Sequence, residues 1–477
     1  MRRLNGEDSA FLSLELPTQP ITSQVVAHLI PPKGPGGEVR PITLDELARH
    51  VALRLGELPA FRWRILPVPA SLYHEVAIED PDFVLENHLR RVVARPPGNE
   101  QELARILNSV ASGRLDRSRP LWELVLVDGL ADERQALIIR FHHALMDGAP
   151  SLLMLSRLLS GEDHDVVRPA TPWVPNVVPS RGRLLRDAMR DHKATLRLLP
   201  GLFAATGRGV KAQKALERQM AVAIPKPVRD TPACSLNDAF TGRRRHANFT
   251  LQMADIMHVK EAAGVTVPQV ALAITAGGLR SYLLGNGDLP TRPLTAGTPM
   301  AFERPELVRE WGNHFVNFTT SLATDIEDPW ERLERIAVVT NAARRSMEAF
   351  GGELICDWAD QLPPYFAKWL VRRHLRSRRH RRDRADINVN VSVVRGPAVP
   401  WAFGRARVEE LFVDGPPNNG CGVCVTALYY ADRMSIGIHA CADAVPDPAV
   451  LAEKFVESLA ELVAIAVDRE GREVPAS

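Results

Sequence analysis

The sequence predicts an α/β protein made of two lobes that are joined by a helical crossover. The chain has 477 residues, which is too long for one ordinary hydrophobic core and suits two. Helical and strand patterns alternate over residues 1–165 and again from Arg243 onward. A long basic helical pattern at residues 182–219, bounded by proline-rich segments, separates these two regions.

Composition limits the class of protein before any motif is considered. The chain is 45% hydrophobic and 24% charged, which is typical of a soluble globular protein. Its net charge of +2 gives no overall field for binding nucleic acid, and no nucleic-acid-binding module is recognisable. The N-terminus lacks the apolar core of a signal peptide, and no apolar stretch is long enough to span a bilayer. We therefore expect an intracellular protein that can touch membranes without crossing them.

The first region begins with a well-marked helix at residues 44–55, where apolar residues recur at three- to four-residue spacing. Thr43 is its predicted N-cap and Glu46 the partner in a capping box. The almost entirely apolar run at residues 136–141 indicates a central strand. Further elements are a strand at residues 122–127, helices at 101–111 and 151–159, and a hairpin-like turn at 128–134.

The middle of the chain is predicted to be a connection between the lobes. Four prolines fall within eleven residues, which excludes a helix or central strand there and indicates a linker or a surface strap: Pro169, Pro172, Pro175 and Pro179. The basic helical pattern that follows is expected to break at Pro200-Gly201 and to end in a second proline-rich segment, residues 225–232. The predicted division is a first lobe at residues 1–180, a crossover at 181–232 and a second lobe at 233–477.

The second region repeats the alternation of helices and strands. Its predicted helices cover residues 254–263, 267–284, 329–347 and 448–467, and its predicted strands cover 387–394, 424–430 and 434–441. Ligands of proteins with this architecture tend to bind between the lobes.

Five cysteines are thinly spread, and their odd number in a long chain argues against a disulfide framework. Cys421 and Cys424 form a lone C-x-x-C pair, but a zinc site needs a second pair of ligands that the sequence lacks. We expect no metal.

The pattern that carries chemistry follows the predicted central strand, which ends at Phe141 and leads directly into His142 and His143. Asp147 comes four residues after His143, so a helical turn would place both side chains on one side. Neutral imidazole accepts a proton from an alcohol near physiological pH, and Asp147 could orient the ring or pair with an arginine. Gly148 would allow a sharp bend into the next helix. On spacing alone, a structural polar cap or two metal ligands are equally consistent with the pattern.

The heptapeptide His142–Gly148 resembles the HHxxxDG signature of the wax ester synthase/diacylglycerol acyltransferase family, within the HxxxD group of CoA-dependent acyltransferases. The resemblance extends in order along nearly the whole chain. It includes residues 80–83 with His88, the PLW segment within residues 115–123, Gly312-Asn313, residues 325–329, Gly396-Pro397 and residues 441–447.

This resemblance implies two CoA-acyltransferase-like lobes with mixed sheets and an active-site tunnel between them. It implies that His143 is the general base, supported by His142, Asp147 and Gly148, with Asp147 holding the loop. The expected substrates are acyl-CoA as donor and diacylglycerol or a fatty alcohol as acceptor, with no separate cofactor.

Two further segments are implied candidates for lining the tunnel. Pro120, Leu121 and Trp122 either start a strand and pack beneath the site or face the acyl chain directly. Ser392, Gly396 and Pro397 match a second family segment, Ser-Asn-Val-Pro-Gly-Pro.

The chain departs from the family pattern at two places. Val393 and Arg395 do not match the Ser-Asn-Val-Pro-Gly-Pro segment, and Pro268-Gln269 stands where members often have Asn-Asp. These departures leave the acceptor and the rate open. They also keep open a carrier-protein thioester as donor, or a non-catalytic homologue that binds lipid surfaces.

A basic run at residues 368–384 contains nine Lys or Arg residues and one acid, Asp383, and follows an aromatic stretch. It suits a peripheral anchor on a membrane or lipid droplet, a solvated loop, or arginines that bind the phosphates of CoA. Residues 181–197 are a second basic candidate. We therefore expect a cytoplasmic protein, associated peripherally with a membrane or lipid droplet.

Overall fold

The computed structural model describes residues 1–159, 175–238, 240–302, 308–369, 373, 385–418 and 420–473. Two six-stranded mixed sheets form the centres of two lobes, and a small three-stranded sheet lies beside the first. This confirms the predicted α/β class with two lobes. The small sheet consists of β1 (Arg2–Arg3), β3 (Trp63–Leu66) and β4 (Val76–Glu79).

The first large sheet contains strands from both ends of the chain. Its order is β12 (Ala402–Phe403), β13 (Ala406–Asp414), β2 (Thr22–Ile30), β7 (Gln135–His142), β6 (Trp122–Asp128) and β5 (Leu89–Val93). Only β5 and β6 pair in parallel. β6 and β7 pair antiparallel, as the predicted hairpin requires, and every residue of β7 is buried.

Four helices pack around this sheet: α1 (Gly6–Leu14), α2 (Leu44–Arg54), α3 (Glu100–Ala111) and α4 (Gly148–Leu158). The predicted capping box at the start of α2 is present, since Thr43 accepts from the N–H of Glu46 and the Glu46 side chain accepts from the N–H of Thr43. One hydrophobic cluster fills the space between the sheet, α2 and α4, and α3 covers the opposite face.

The second large sheet has the order β10 (Phe315–Ser321), β9 (Thr295–Ala301), β11 (Val389–Arg395), β14 (Val423–Tyr430), β15 (Arg433–Cys441) and β8 (Arg244–Gln252). Helices α6 (Met253–Ala263), α7 (Val267–Gly285), α8 (Pro329–Phe350), α9 (Glu353–Gln361) and α10 (Pro448–Glu473) accompany it. α7 lies at the centre of the largest hydrophobic cluster, and its close contact with α10 needs small residues. An added Cβ at Gly278 would lie 2.1 Å from a ring carbon of Phe455.

The crossover helix differs from the prediction. We expected a break at Pro200-Gly201, but α5 (Arg181–Glu217) continues through both residues. Proline costs a helix one hydrogen bond, and the packing of α5 against α8 and α9 offsets that loss. At Gly209 the approach to α8 is so close that a Cβ would lie 2.2 Å from the carbonyl oxygen of Phe350. Pro169 and Pro172 of the predicted strap lie outside the described residues.

The two lobes share strands and a buried polar contact. β12 and β13, from the last quarter of the chain, pair within the first sheet, so the lobe boundaries predicted at residues 180 and 232 stay a prediction. His246 and His439, on neighbouring strands of the second sheet, stack at 4.1 Å between ring centroids. His246 also contacts the first lobe through Gln24 and Asn108, at 3.1 Å each.

A helix that spans a bilayer must be long and predominantly apolar. Among the described helices, none alone combines the length and apolar composition that crossing a bilayer needs. α6 and α7 reach that threshold only when counted together, and they are bent by 103° relative to each other.

Candidate active site

The paired histidines lie where the central strand of the first sheet ends. The N–H of His142 donates to the carbonyl of Leu121 at 3.0 Å, and the N–H of His143 donates to the carbonyl of Ile21 at 2.9 Å. A single 3₁₀ turn, His143–Leu145, follows before α4 begins at Gly148. The neighbouring strands therefore fix the backbone of both histidines.

The His143 side chain is held between the two lobes. Its Nδ1 lies 3.0 Å from Oδ1 of Asn313, and its ring stacks on Phe11 with 4.4 Å between ring centroids. Phe315 lies on another side at 6.2 Å. Burial among these rings lowers the pKa of His143, although the charge of Asp147 opposes that shift. The ring is therefore neutral near pH 7 and able to accept a proton.

The other ring nitrogen of His143 faces accessible space. Nε2 makes no hydrogen bond to any described residue, and part of its surface is accessible. His143 as a whole is only partly buried. A proton acceptor is thus exposed on one side of an otherwise enclosed ring.

His142 is placed quite differently. It is fully buried, and its Nδ1 accepts the N–H of Ala144 at 3.0 Å, which closes the turn after β7. Its Nε2 lies 3.7 Å from Glu15, whose other oxygen pairs with Arg117 at 2.7 Å. Burial and nearby positive charges lower the pKa of His142 well below its ordinary value. His142 therefore suits a structural role.

Asp147 joins the motif to the second lobe. Both of its carboxylate oxygens lie 2.9 Å from Nη2 of Arg309, and one also accepts the N–H of His314 at 2.9 Å. The backbones of Met146 and Gly312 form an isolated parallel bridge beside this ion pair. These hydrogen bonds go to the second lobe and none goes to the His143 ring, so Asp147 secures the loop.

The sequence predicts that Gly148 would allow a sharp bend into α4. Its φ lies outside the left-handed region, so the backbone there does not require glycine. A Cβ added at Gly148 would meet no atom within 4 Å, because the residue begins α4 at the surface. The fold itself therefore leaves room for a larger residue.

The PLW segment packs beneath the motif. The Trp122 ring stacks on Phe61 at 4.2 Å and on His88 at 4.4 Å, and its Nε1 donates to the carbonyl of Phe61 at 2.7 Å. Leu121 is buried and holds the backbone of His142. These contacts favour the structural interpretation of Pro120, Leu121 and Trp122.

The second candidate segment lies on β11 and the loop after it. Side chains alternate along a strand, so Ser392 shares a face with Val394, which packs on the core of the first lobe. Gly396 approaches the carbonyl of Tyr429 so closely that a Cβ would lie 2.2 Å away, and Pro397 accepts the N–H of Ala431. Gly396 and Pro397 thus have packing roles, and a place for all three residues in a tunnel stays a prediction.

Gln269 has a local role that explains one departure from the family pattern. It forms a capping box with Thr266 at the start of α7, where its Oε1 accepts the N–H of Thr266 at 2.8 Å. Its Nε2 donates to Asn341 at 2.9 Å. The buried amide of Gln269 therefore stabilises the start of α7 in the second lobe. It contacts no residue of the histidine motif.

The described residues contain no group of three His, Cys, Asp or Glu side chains arranged to hold a metal ion. Cys421 and Cys424 are buried, and burial raises the pKa of the Cys424 thiol to about 12 and that of Cys421 further. Buried neutral thiols are poorly reactive.

Four residues of the site were not assigned roles from the sequence: Asp8, Phe11, Arg309 and Asn313. They lie more than 100 residues from the motif, so local patterns do not connect them to it. One signal was available, since Asn5 and Asp8 are spaced as an N-cap and its capping-box partner, and the structure contains that box. The family resemblance includes Gly312-Asn313 but assigns no role to Asn313.

Comparison with known proteins gives matches along nearly the whole chain. The sequence profile of the wax ester synthase/diacylglycerol acyltransferase catalytic domain matches residues 4–271, and that of the WS/DGAT C-terminal domain matches residues 311–463. Two proteins of Mycobacterium tuberculosis, provisionally named diacylglycerol O-acyltransferases, are similar in sequence. One is 32% identical over 98% of both chains, and the other is 30% identical over 94% of this chain and 93% of its own.

Two solved structures are similar to this chain over nearly its whole length. The wax ester synthase/diacylglycerol acyltransferase from Marinobacter aquaeolei VT8 matches with a TM-score of 0.68 and 25% identity, covering 98% of this chain and all of that one. The first condensation domain of the calcium-dependent antibiotic synthetase matches with a TM-score of 0.57 and 15% identity, covering 97% of each chain. The latter likeness concerns the fold alone.

Proposed function

This chain belongs to the wax ester synthase/diacylglycerol acyltransferase family and is an acyltransferase; we propose that it moves a long-chain acyl group from acyl-CoA to diacylglycerol or a long-chain alcohol. The observation that carries this proposal is the state of His143. One ring nitrogen is held by Asn313, and the other has no hydrogen-bond partner among the described residues and faces accessible space. That is the arrangement a general base requires.

In the proposed reaction, Nε2 of His143 takes the proton of the acceptor hydroxyl as its oxygen attacks the thioester carbonyl carbon. The carbon–sulfur bond then breaks, and the imidazolium returns the proton to the departing CoA thiolate. The products are an ester and free CoA, with no covalent enzyme intermediate. General-base assistance of this kind is worth about 10²–10⁴-fold in rate.

The surroundings of the ring support this role. Phe11 and Phe315 exclude water on two sides, and the lowered pKa keeps His143 unprotonated before the alcohol arrives. The Arg309–Asp147 ion pair holds the loop in place while the substrates exchange. His142, buried and hydrogen-bonded to the backbone, supports the turn.

The direct test is release of free thiol from palmitoyl-CoA in the presence of dipalmitoylglycerol or hexadecanol. His143→Ala should lower turnover at least about a hundredfold, because the general base is lost. His258→Ala, on the surface of the second lobe, is the matched control and should keep full turnover. Unchanged turnover in His143→Ala contradicts the proposal. Turnover that requires an acyl-carrier-protein thioester would instead identify a different donor.

The protein is also proposed to dock on an anionic lipid surface through the outer face of α5. Three large apolar residues, Met189, Leu196 and Phe203, recur every seven residues on that face and are 62–64% exposed. The buried residues of α5 lie about 100° around the helix from this stripe: Leu184, Ala188, Thr195, Leu202 and Gly209. An exposed apolar stripe of this length suits an interface with lipid.

Basic residues follow the same outer face. Arg186, Arg190, Lys193 and Arg197 recur at helical spacing beside the apolar stripe, and each cation near an anionic surface adds about 1 kcal/mol of attraction. The exposed rings of Tyr365, Phe366 and Trp369 add further apolar surface. Of the other basic run, residues 370–372 and 374–384 lie outside the described part of the chain, whereas Lys368 pairs internally with Glu75 at 2.8 Å.

Flotation with phospholipid vesicles tests this surface. The protein should float with vesicles that contain phosphatidylglycerol and much less with phosphatidylcholine alone. Leu196→Gln combined with Phe203→Gln should reduce flotation, whereas Val467→Gln, an equally exposed apolar residue on α10, should not. Equal flotation of both variants contradicts a docking face on α5.

A further inference from the structure

Asn313 lies between His143 and Asp8, so the three side chains form a series. Oδ1 of Asn313 is 3.0 Å from Nδ1 of His143, and its Nδ2 donates to Oδ1 of Asp8 at 2.8 Å. The same Nδ2 also donates to the carbonyl oxygen of His143 at 2.8 Å. Asn313 and Asp8 are both completely buried.

These contacts determine which way the amide of Asn313 faces. Nδ2 is directed at two accepting oxygen atoms: the backbone carbonyl of His143, and Oδ1 of Asp8, which also accepts the backbone N–H of Asn313. A flipped amide would place its own oxygen against both of them, so Oδ1 must face His143. Because Oδ1 is an acceptor, Nδ1 of His143 must carry the proton. The neutral imidazole then has its lone pair on Nε2, the atom that faces accessible space.

Asp8 is itself held in place by the start of α1 and by the second lobe. The side chain of Asn5 accepts the N–H of Asp8 at 2.8 Å, and Asn5 donates through Nδ2 to the carbonyl of Asn313 at 2.7 Å. The backbone N–H of Asn313 also donates to Asp8, at 2.9 Å. Gly312 has a φ of +79°, and an added Cβ would lie 3.3 Å from Asp8, so glycine permits this close approach.

We propose that Asn313 and Asp8 are positioning residues that hold His143 in the tautomer with a proton on Nδ1 and a free lone pair on Nε2. Asn313 sets the tautomer by direct contact, and Asp8 acts through Asn313 by fixing its amide. The inference rests on the proposed role of His143 as general base. It adds one positioning residue from α1 of the first lobe and one from the second lobe to the histidine motif.

The kinetic test uses Asn313→Ala and two substitutions at Asp8. Asn313→Ala should lower kcat about ten- to a hundredfold with little change in KM, because the ring loses its orientation but no substrate contact. It should also move the acid limb of the kcat/KM profile to lower pH, since the hydrogen bond from Asn313 raises the pKa of His143. Asp8→Ala should behave similarly. Asp8→Asn keeps an oxygen that accepts both hydrogen bonds and should retain most of the activity.

A matched control separates positioning from loss of stability. Asn388 is a buried asparagine of the second lobe with a comparable set of hydrogen bonds, including those to Pro232, Asn237 and Thr295. Asn388→Ala should lower the thermal stability without moving the acid limb. An unchanged kcat and acid limb in both Asn313→Ala and Asp8→Ala would overturn the inference.

A second measurement does not depend on turnover. Long-range ¹H–¹⁵N correlation spectra of protein labelled with [¹⁵N]histidine distinguish the two tautomers, and the His143→Gln spectrum assigns the signal. The wild type should show the proton on Nδ1, and Asn313→Ala should shift the population toward Nε2. A proton on Nε2 in the wild type overturns the inference, whatever the activity. Absence of turnover with every acceptor contradicts only the proposed function.

Discussion

Arg309 places Nη2 2.9 Å from both carboxylate oxygens of Asp147, and this ion pair joins the histidine loop of the first lobe to the second lobe. Asp147 is almost completely buried and Arg309 is largely so. The pair therefore contributes to both stability and the geometry of the site, and removing Arg309 takes the charge partner away from a buried carboxylate.

Arg309→Ala should lower the free energy of unfolding by about 3 kcal/mol, because a buried carboxylate loses its charge partner. Denaturant unfolding measures this directly, and kcat should fall in parallel as the loop loosens. Arg344→Ala is the control, since its ion pair with Glu348 is exposed and should contribute less than about 1 kcal/mol. Equal losses of unfolding free energy in the two variants would show that the Arg309–Asp147 ion pair is no stronger than an exposed ion pair.

The pH dependence of activity should reflect the buried environment of His143. Burial lowers its pKa below the ordinary value of 6.5, and the base works only when neutral. The acid limb of the kcat/KM profile should therefore be centred below pH 6.5. Parallel unfolding measurements at each pH separate this effect from denaturation. An acid limb centred above pH 7 would be inconsistent with a desolvated base.

Gly148→Ala should leave the thermal stability unchanged or slightly higher. The added methyl group meets no neighbour within 4 Å, and alanine favours the helical backbone. Gly312→Ala is the contrasting variant, since its φ of +79° and the nearby Asp8 oppose a side chain, and it should cost about 1 kcal/mol or more. Differential scanning calorimetry compares the two. A marked loss of thermal stability in Gly148→Ala would mean that neighbouring atoms occupy the space around residue 148.

Acid should destabilise the fold through the stacked histidines between the lobes. Burial lowers the pKa of His246 to about 3 and that of His439 well below 6.5, so both are neutral in the folded state. In the unfolded chain they bind protons below about pH 6.5, so stability is full above that pH and is lost as the pH falls toward the lowered values. Each residue contributes a slope of up to about 1.4 kcal/mol per pH unit.

The test is denaturant unfolding between pH 7 and pH 5. Replacing both His246 and His439 with phenylalanine should reduce this slope by their share, while His142 and His143, whose pKa values burial also lowers, keep part of it. The double variant also lowers stability at neutral pH through lost hydrogen bonds. His258→Gln, at the protein surface, should leave the slope as in the wild type. A slope as steep in the double variant as in the wild type would assign the acid sensitivity to other groups.

The sequence predicted elements well where one physical signal dominated. The capping box of α2 and the apolar run of β7 were both confirmed within one or two residues. β2 was not predicted, because Gln24 and His28 interrupt its apolar pattern. Those polar side chains contact His246 and Glu410, and such tertiary partners cannot be read from local periodicity.

For the site, the motif identified His143, but its orienting partners depend on the fold. Asn313 is 170 residues away, and Asp8 contacts Asn313 across 305 residues. Spacing left two roles open for Asp147, orienting the imidazole or pairing with an arginine, and its hydrogen bonds go to Arg309 and His314. Local geometry can place two residues on one side of a turn, but it cannot show which distant group competes for them.

The placement of β13 in the first sheet has a consequence during synthesis on the ribosome. β2 lies between β7 and β13, so one edge of β2 stays unpaired until residue 414 has left the exit tunnel. At about 5–20 residues per second, that wait after His142 lasts roughly 15–55 seconds. Throughout that time a nascent chain presents an open apolar strand edge, a template for aggregation. We therefore expect truncations that end before Ala406 to be insoluble and the yield of full-length protein to depend on chaperones that bind nascent chains.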